Sequence, residues 1–359
     1  MGIHVMNPKS LQLLALFTAI AVGGAAWTLN VHRLGSGVEV SGAVFPSLID
    51  EVNSVVTVLV EHRNKSLTMT RGTFGGWSMV ESDGYAVSAK AAEKVVVQLS
   101  DLHHYELKTR KADLYDRLHV GDPKANNADA RQIRLLDAKG EELANLIVGR
   151  KRYNLAGARR EGVYIRKPGN IQTWLAAGEL DVDIKPGNWL DNEIVDVREG
   201  AVERVTVRHP DGESLTVVRA DPEGKEYVLL DIPPGKELKF DTDPKTLAGV
   251  TNQLNMDDVR KDGFIKFIED QTLRANFITE NGLSLMVYLV NQNDVAWARF
   301  EASIVSDASL SKDVLETAQA RVREINARVR GWVYALPSFK ASRINRRAGD
   351  MLKDKKPLS

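Results

Sequence analysis

Apolar and polar positions alternate along two stretches of this chain that say nearly the same thing. Val55 to His62 is a β-branched run, Arg63, Asn64 and Lys65 supply a turn, and Ser66 to Arg71 alternates on the way back. Later, Val55, Val58 and Val60 recur as Val202, Val205 and Val207 at a constant offset, and Ser66-Leu67-Thr68 recurs as Ser214-Leu215-Thr216 after one extra turn residue. Trp77, opening a third strand to Val80, finds an aromatic counterpart in Tyr227. The period then changes to that of a helix over Ala89 to Leu102, with Ala92, Val95, Val96 and Leu99 on one face. There too a match exists: Lys90, Val95, Gln98 and Leu99 recur as Lys245, Val250, Gln253 and Leu254. Shared strand phase, turn position and helix face predict one unit built twice.

Each unit is followed by a sheet-forming segment. In the first half, Gln132 to Leu136, Leu143 to Gly149, Gly162 to Arg166 and Ile171 to Leu175 read as strands, with turns at Ala138-Lys139-Gly140 and Lys167-Pro168-Gly169-Asn170. The second half repeats this, more briefly, in Ala275 to Thr279, Leu283 to Asn291 and Asp294 to Ala302 around Glu280-Asn281-Gly282. Lys312 to Arg330 has the apolar spacing of an amphipathic helix.

Before all of this, Leu11 to Leu29 holds no charged residue, and a helix of that length spans roughly 28 Å, the thickness of a bilayer core. Leu11, Leu14, Phe17, Ile20, Val22, Trp27 and Leu29 are its apolar and interfacial positions, and we read it as a membrane anchor. Two rivals stand beside that reading. A cleaved signal peptide would use Lys9 and the small residues Gly24, Ala25 and Ala26, although the apolar run is longer than such segments need; a buried core helix is the other. Positive charge is nearly level on the two sides, Lys9 against Arg33. Because a lone N-terminal apolar segment is itself an export signal, the bulk of the chain is expected outside the cytoplasm.

The expected fold class is therefore α+β: an N-terminal transmembrane helix followed by two tandem β-rich repeats of antiparallel strands, each with one packing helix. The expected division is a tail at 1–10, the anchor at 11–29, a Gly- and Ser-rich linker at 30–44, repeats at 45–186 and 187–305, and a C-terminal helical segment and basic tail at 306–359.

Composition narrows the function. The 48 basic and 48 acidic side chains cancel, so no global field draws in nucleic acid, and basic residues are not interleaved with aromatics. Cysteine is absent, which excludes disulfides, thiolate metal sites and a Cys nucleophile.

Four stretches, ELKTRKADLYDRLHVGDP (Glu106 to Pro123), GVYIRKPGNIQTWL (Gly162 to Leu175), NWLDNEIVDV (Asn188 to Val197) and GWVYALPSFK (Gly331 to Lys340), carry a likeness. In these and in their order the chain resembles the bacterial family known as domain of unknown function 4340. The resemblance implies a membrane segment followed by a β-rich exported region, encoded beside an ABC-2-type permease and a gliding-motility-type auxiliary protein. It thus implies a non-catalytic accessory role whose partner is such a permease or an auxiliary envelope protein. It implies no catalytic residues.

The residues themselves show no phosphate loop, no G-x-S-x-G and no HExxH, and no cofactor is expected. His103 and His104, read as helix-end residues, point too far apart to chelate. Asp181 and Asp183 could share a strand face at i and i+2; a solvated edge beside Lys185 is the plainer reading. Arg150, Lys151, Arg152, Arg159, Arg160, Arg166 and Lys167 are the best candidate patch for an anionic partner, lipid headgroups or an acidic protein surface, against the alternative of a solvated hairpin. Trp174, Trp189 and Trp332 read as core anchors, and the basic stretch after Lys340 as a surface helix that buries Ile344, Met351 and Leu352.

Overall fold

A computed structural model describes residues 41–155, 161–223, 226–305 and 310–355. The proposed anchor, Leu11 to Leu29, lies outside them. Among the described residues no helix is long and apolar enough to cross a membrane.

The fold is α+β, with antiparallel sheets throughout. The first sheet has ten strands: β1 (Ser41–Ala43), β2 (Thr57–His62), β3 (Lys65–Arg71), β4 (Trp77–Met79), β5 (Tyr85–Val87), β6 (His103–Leu107), β7 (Arg131–Leu136), β8 (Glu142–Arg152), β9 (Gly162–Arg166) and β10 (Thr173–Ala177). Their order is β1-β6-β10-β9-β8-β7-β2-β3-β4-β5. Helices α1 (Leu48–Glu51), α2 (Ala89–Ser100) and α3 (Tyr115–Leu118) accompany it. Alternation decides which side is inward: Val58 and Val60 are fully buried, while Thr57, Leu59 and Glu61 between and beside them are partly exposed.

The second half contributes β11 (Glu193–Val195), β12 (Val202–Arg208), β13 (Ser214–Arg219), β14 (Tyr227–Leu229), β15 (Lys236–Leu238), β16 (Leu254–Asn255), β17 (Asp258–Lys261), β18 (Leu273–Thr279), β19 (Leu283–Gln292), β20 (Val295–Ile304), β21 (Trp332–Ala335) and β22 (Leu352–Asp354). Eight of these form one sheet in the order β14-β13-β12-β18-β19-β20-β21-β17, while β11 pairs with β16 and β15 with β22. Helices α4 (Asp243–Ala248), α5 (Lys312–Val329), α6 (Ser338–Ile344) and α7 (Ala348–Met351) complete the half.

Read outward from their hairpins, the two sheets have the same order, with β4-β3-β2-β7-β8-β9-β10-β6 matching β14-β13-β12-β18-β19-β20-β21-β17 strand for strand. The register matches as well. Val58 lies opposite Met69 and Leu135, and Val205 opposite Val217 and Phe277. Arg71 pairs with Trp77 as Arg219 pairs with Tyr227.

Three expectations need correction. The helix match is only partial: α4 begins at a Pro244 turn, passes into a single 3-10 turn at Gly249–Thr251, and ends before Gln253, whose φ is +46°. Leu254 then pairs as a strand with Val195, so Val250 and Leu254 keep their burial and lose the helix. His103 and His104 open strand β6 rather than end a helix, since α2 stops at Ser100. Finally, the second main sheet, with eight strands to the first sheet's ten, is not confined to residues before 306. It is completed from the segment after 306, where β21 pairs with both β20 and β17.

That C-terminal segment is well fastened. Ser311 caps α5 by accepting a hydrogen bond from the Val314 amide, and Asn326 bonds both the amide and the carbonyl of Ala302 on β20 as a neighbouring strand would. Ile344, Met351 and Leu352 are buried, on two short helices and a strand rather than one helix. The Lys340 ammonium is buried and donates to the carbonyls of Val250 (2.9 Å) and Asn252 (2.8 Å), groups that the end of the 3-10 turn leaves free. Arg346 pairs with Asp243, and Arg347 with Asp211 and Glu213 at the β12–β13 turn.

One continuous core runs through both halves. They meet where β5 approaches β17 and β21. Tyr85 packs edge-on to Trp332 (4.8 Å, 88°) and to Tyr334 (6.3 Å, 89°). Around these rings Ser82 donates to Asp258, the Lys261 amide to Asp83, and the Gly187 amide to the Asp257 carbonyl. Burial pushes up the Tyr334 hydroxyl, with Tyr85 adding to the effect, and burial raises Tyr85 as well. Residues 189–191 run along the outer side of β5 and cover that edge, with Ser88 donating to the Trp189 carbonyl and Asp191 to that of Ala86.

Candidate functional site

A pocket of about 530 Å³ opens on the first unit between α2, the end of β8 and the loop at 180–189. Ala92, Val95, Val96 and Leu99 turn inward from α2, which leaves Lys94 and Gln98, one turn apart, at the pocket wall. Lys94 Nζ lies 2.9 Å from Asp181 Oδ2 and 3.3 Å from Glu179. Lys151 reaches the other Asp181 oxygen from β8, and the Asp181 amide donates to Gln98 Oε1.

Burial on its own would raise the Asp181 carboxyl. The hydrogen bonds from Lys151 and Lys94 outweigh it and hold the group well below the usual carboxylate range. A carboxylate kept charged between two ammonium groups is a poor proton shuttle near neutral pH, and this triad braces α2 against β8. Asp183 is engaged elsewhere, accepting from the Lys185 amide and the Asn188 side chain. The two aspartates both line the pocket, but each is held by its own partners rather than by a shared one. Across the pocket His119 stands 3.6 Å from Asp129, and Gln98 Nε2 and Arg131 Nε are buried donors without a protein partner. The wall is polar and carries the cations Lys94, Arg131, Arg150 and Lys151.

The triad has a pH signature. Asp181 titrates lower in the folded chain than its ordinary value of 3.8, so its contribution is complete above about pH 4 and drains away as pH falls below it. Asp181→Asn should remove that part of the acid-side slope in melting temperature and, since the pair is partly exposed, cost no more than about 1 kcal/mol at pH 7. Parallel melts of the two proteins between pH 2 and 7 check this.

The basic residues singled out along the hairpin are not brought into one patch. β8 and β9 run antiparallel with Arg152 opposite Gly162 and Ile147 opposite Arg166, which separates Arg150, Lys151 and Arg152 from Arg166 by roughly 10 to 16 Å of strand. Arg159 and Arg160 lie outside the described residues. Lys151 serves Asp181, Arg152 donates to the Tyr164 hydroxyl, and Arg150 lies 5.9 Å from the centre of the same ring. Arg166 donates to the carbonyls of Val120, Gly121 and Asn170 and stacks over Tyr115. Lys167 sits over the Phe45 ring.

His104 packs on Trp174 at 4.3 Å, and its pKa is lowered by burial first and by Lys167 second. No group of three or more acidic or histidine side chains that could hold a metal occurs among the described residues. Trp189 is buried, and Trp174 and Trp332 are half-buried against His104 and Tyr85. Lys94 and Gln98 are the site residues the sequence reading passed over. Their spacing of four on the polar flank of α2, next to a run of acids at 179–183, is the signal that could have found them.

A second pocket, of about 480 Å³, belongs wholly to the other half, lined by Leu289, Trp297 and Leu336 with Asp257 and Asp294 at its rim. The second pocket is lined from its own half alone, the first also by Asn188 and Trp189 at the start of the second, and the seam at Tyr85, Trp332 and Tyr334 is filled by aromatic rings.

No curated protein and no solved structure matches the chain. The family described as Domain of unknown function (DUF4340) matches residues 77–265, a span running from β4 of the first sheet, across the seam, to just beyond β17 of the second. That span is more than half of the 359 residues, and the chain belongs to this family of unknown function.

Proposed function

We propose that the chain is a membrane-anchored, non-catalytic scaffold or accessory subunit of an ABC-2-type transport system in the bacterial envelope. The observation that carries this reading is the shared core. Two sheets of one strand order, as internal duplication would leave them, are fused through Tyr85, Trp332 and Tyr334 into a single body. Such a body suits holding partners in register. The apolar segment from Leu11 to Leu29 supplies the tether, and the family resemblance supplies the class of partner. A tagged full chain, solubilised in mild detergent and captured, should bring down a polytopic permease. Recovery of the protein alone under those conditions overturns the reading.

An exported ligand-binding protein or hydrolase is the alternative, and a cleft between the repeats is the first place to seek its site. The pocket bounded by Lys94, Gln98 and Arg131 is the better seat for it, and its unpartnered donors favour a polar ligand.

A further inference from the structure

The first sheet has one end at which chain entry, cationic charge and exposed apolar side chains coincide. Strand β1 runs antiparallel to β6 with Ser41 opposite His104, so its amino end points toward the Leu107 end of β6. Residues 30–40 separate Ser41 from the apolar segment ending at Leu29, and fully extended they reach roughly 40 Å at most. A bilayer holding that segment is therefore within reach of this end of the sheet.

Two turns lie side by side there. The one after β6 packs on the one before β10: Lys108 donates its amide to the Thr173 carbonyl, Arg110 its side chain to Gln172 at 2.7 Å, and Tyr115 its hydroxyl to the Ile171 carbonyl at 2.6 Å. Between them, residues 106–117 and 166–172 carry Lys108, Arg110, Lys111, Arg117, Arg166 and Lys167 against the acids Glu106, Asp113 and Asp116. Glu106 is taken by Lys108 at 2.6 Å, and Arg166 by main-chain carbonyls. Arg110, Lys111 and Lys167 pair with no carboxylate among the described residues. Leu107 and Ile171 stand out of the same surface, 58% and 61% exposed. Cations ringing two protruding aliphatic side chains match a bilayer interface, where the charges meet phosphate and the aliphatic groups sink between headgroups.

We propose that this end of the first sheet docks on the anionic phospholipid headgroups of the membrane that holds the anchor. The inference rests on the anchored reading and adds to it the face turned toward the lipid. Arg150, Lys151 and Arg152, at the opposite end of the β8–β9 hairpin, point the other way along the strands and take no part.

The test uses the full chain in vesicles of phosphatidylcholine, alone or mixed with phosphatidylglycerol. Because the protein has no cysteine, Ile171→Cys gives a unique site for a fluorophore, and Tyr153→Cys, 65% exposed at the far end of the same hairpin, gives its control. In anionic vesicles, lipids with nitroxide headgroups should quench the label at 171 and spare the one at 153. Replacing Arg110 and Lys111 by Gln should lower occupancy of the docked state about fivefold per charge removed. Equal quenching in neutral vesicles, or none at 171 in anionic ones, overturns the proposal; the second result is what an acidic protein occupant would give. Alkaline carbonate separates the two levels of the argument. Protein released by carbonate loses the anchor and both readings with it, whereas protein retained but unquenched at 171 loses only this one.

Discussion

Tyr334→Ala is expected to lower folding stability by about 3–5 kcal/mol, the range for deleting a fully buried aromatic ring. Tyr334 is entirely buried on β21, edge-on to Tyr85 of the first unit and to Phe300 of its own sheet at 5.9 Å. The ring thus belongs to both halves at once, and a cavity there loosens the seam rather than one sheet. Tyr334→Phe keeps the ring and loses the hydroxyl's bond to the Arg328 carbonyl (3.2 Å) together with its hydrogen bond to the Tyr85 hydroxyl, for about 1–2 kcal/mol. Denaturant unfolding followed by the fluorescence of the tryptophans, which lie in both halves and include Trp332 packed on Tyr85, reads whether the halves unfold together. The alanine variant should unfold earlier and lose single-transition behaviour as the halves uncouple. If it matched the phenylalanine variant instead, the seam would not be part of the core.

The hairpins were legible because their information is local. Period-two burial and a turn fix β2 with β3 and β12 with β13, and a constant offset between the copies survives because both obey the same register. What the chain does next is not local. β6 follows α2 after two residues with no turn signal, and its partner β10 lies some seventy residues on. β17 is the short, charged stretch DVRK, and β21 reads as part of a terminal phrase, yet these two close the second sheet just as β6 and β10 close the first. Pairings of that kind depend on which edges remain open after the hairpins form, and no window of sequence records it.

The candidate site divides in the same way. Asp181 could be noticed next to Asp183, but its partners Lys94 and Lys151 are 87 and 30 residues away. The reverse happened with the basic hairpin. Arg150 to Lys167 is a cluster along the chain, and an antiparallel turn sends its two ends to opposite ends of the sheet. Nearness in sequence across a hairpin of that length is therefore no guide to nearness in space, whereas spacing of four on a helix would have been.

Gly149→Ala is expected to destabilise the protein by about 3 kcal/mol or more, toward and beyond the top of the usual range for overpacking. A Cβ at this position on β8 would lie 2.2 Å from the Leu118 carbonyl oxygen, 2.8 Å from that of His119 and 2.7 Å from Val120 Cγ1. Main-chain atoms yield less readily than side chains, and this main chain is fixed. Val120 donates to the Tyr115 carbonyl, His119 turns through φ +57°, and Arg166 grips the Val120 carbonyl at 2.9 Å. The glycine sits in the β8–β9 bulge so that the segment at 115–120 can cross the strand at close range. In the matching register of the second sheet the position is Val290, a full side chain buried in a cluster with Ile265, Trp297 and Val333, so the segment packed over it stands off by a side chain. The demand for glycine thus belongs to the excursion that walls the pocket beside His119, not to the strand order the two sheets share. Gly76→Ala, at an open position with nothing within 4 Å, is the control and should stay within about 0.5 kcal/mol of the parent. Thermal melts of the two variants side by side decide the matter: equal stability would mean that Leu118 to Val120 does not cross β8 at all.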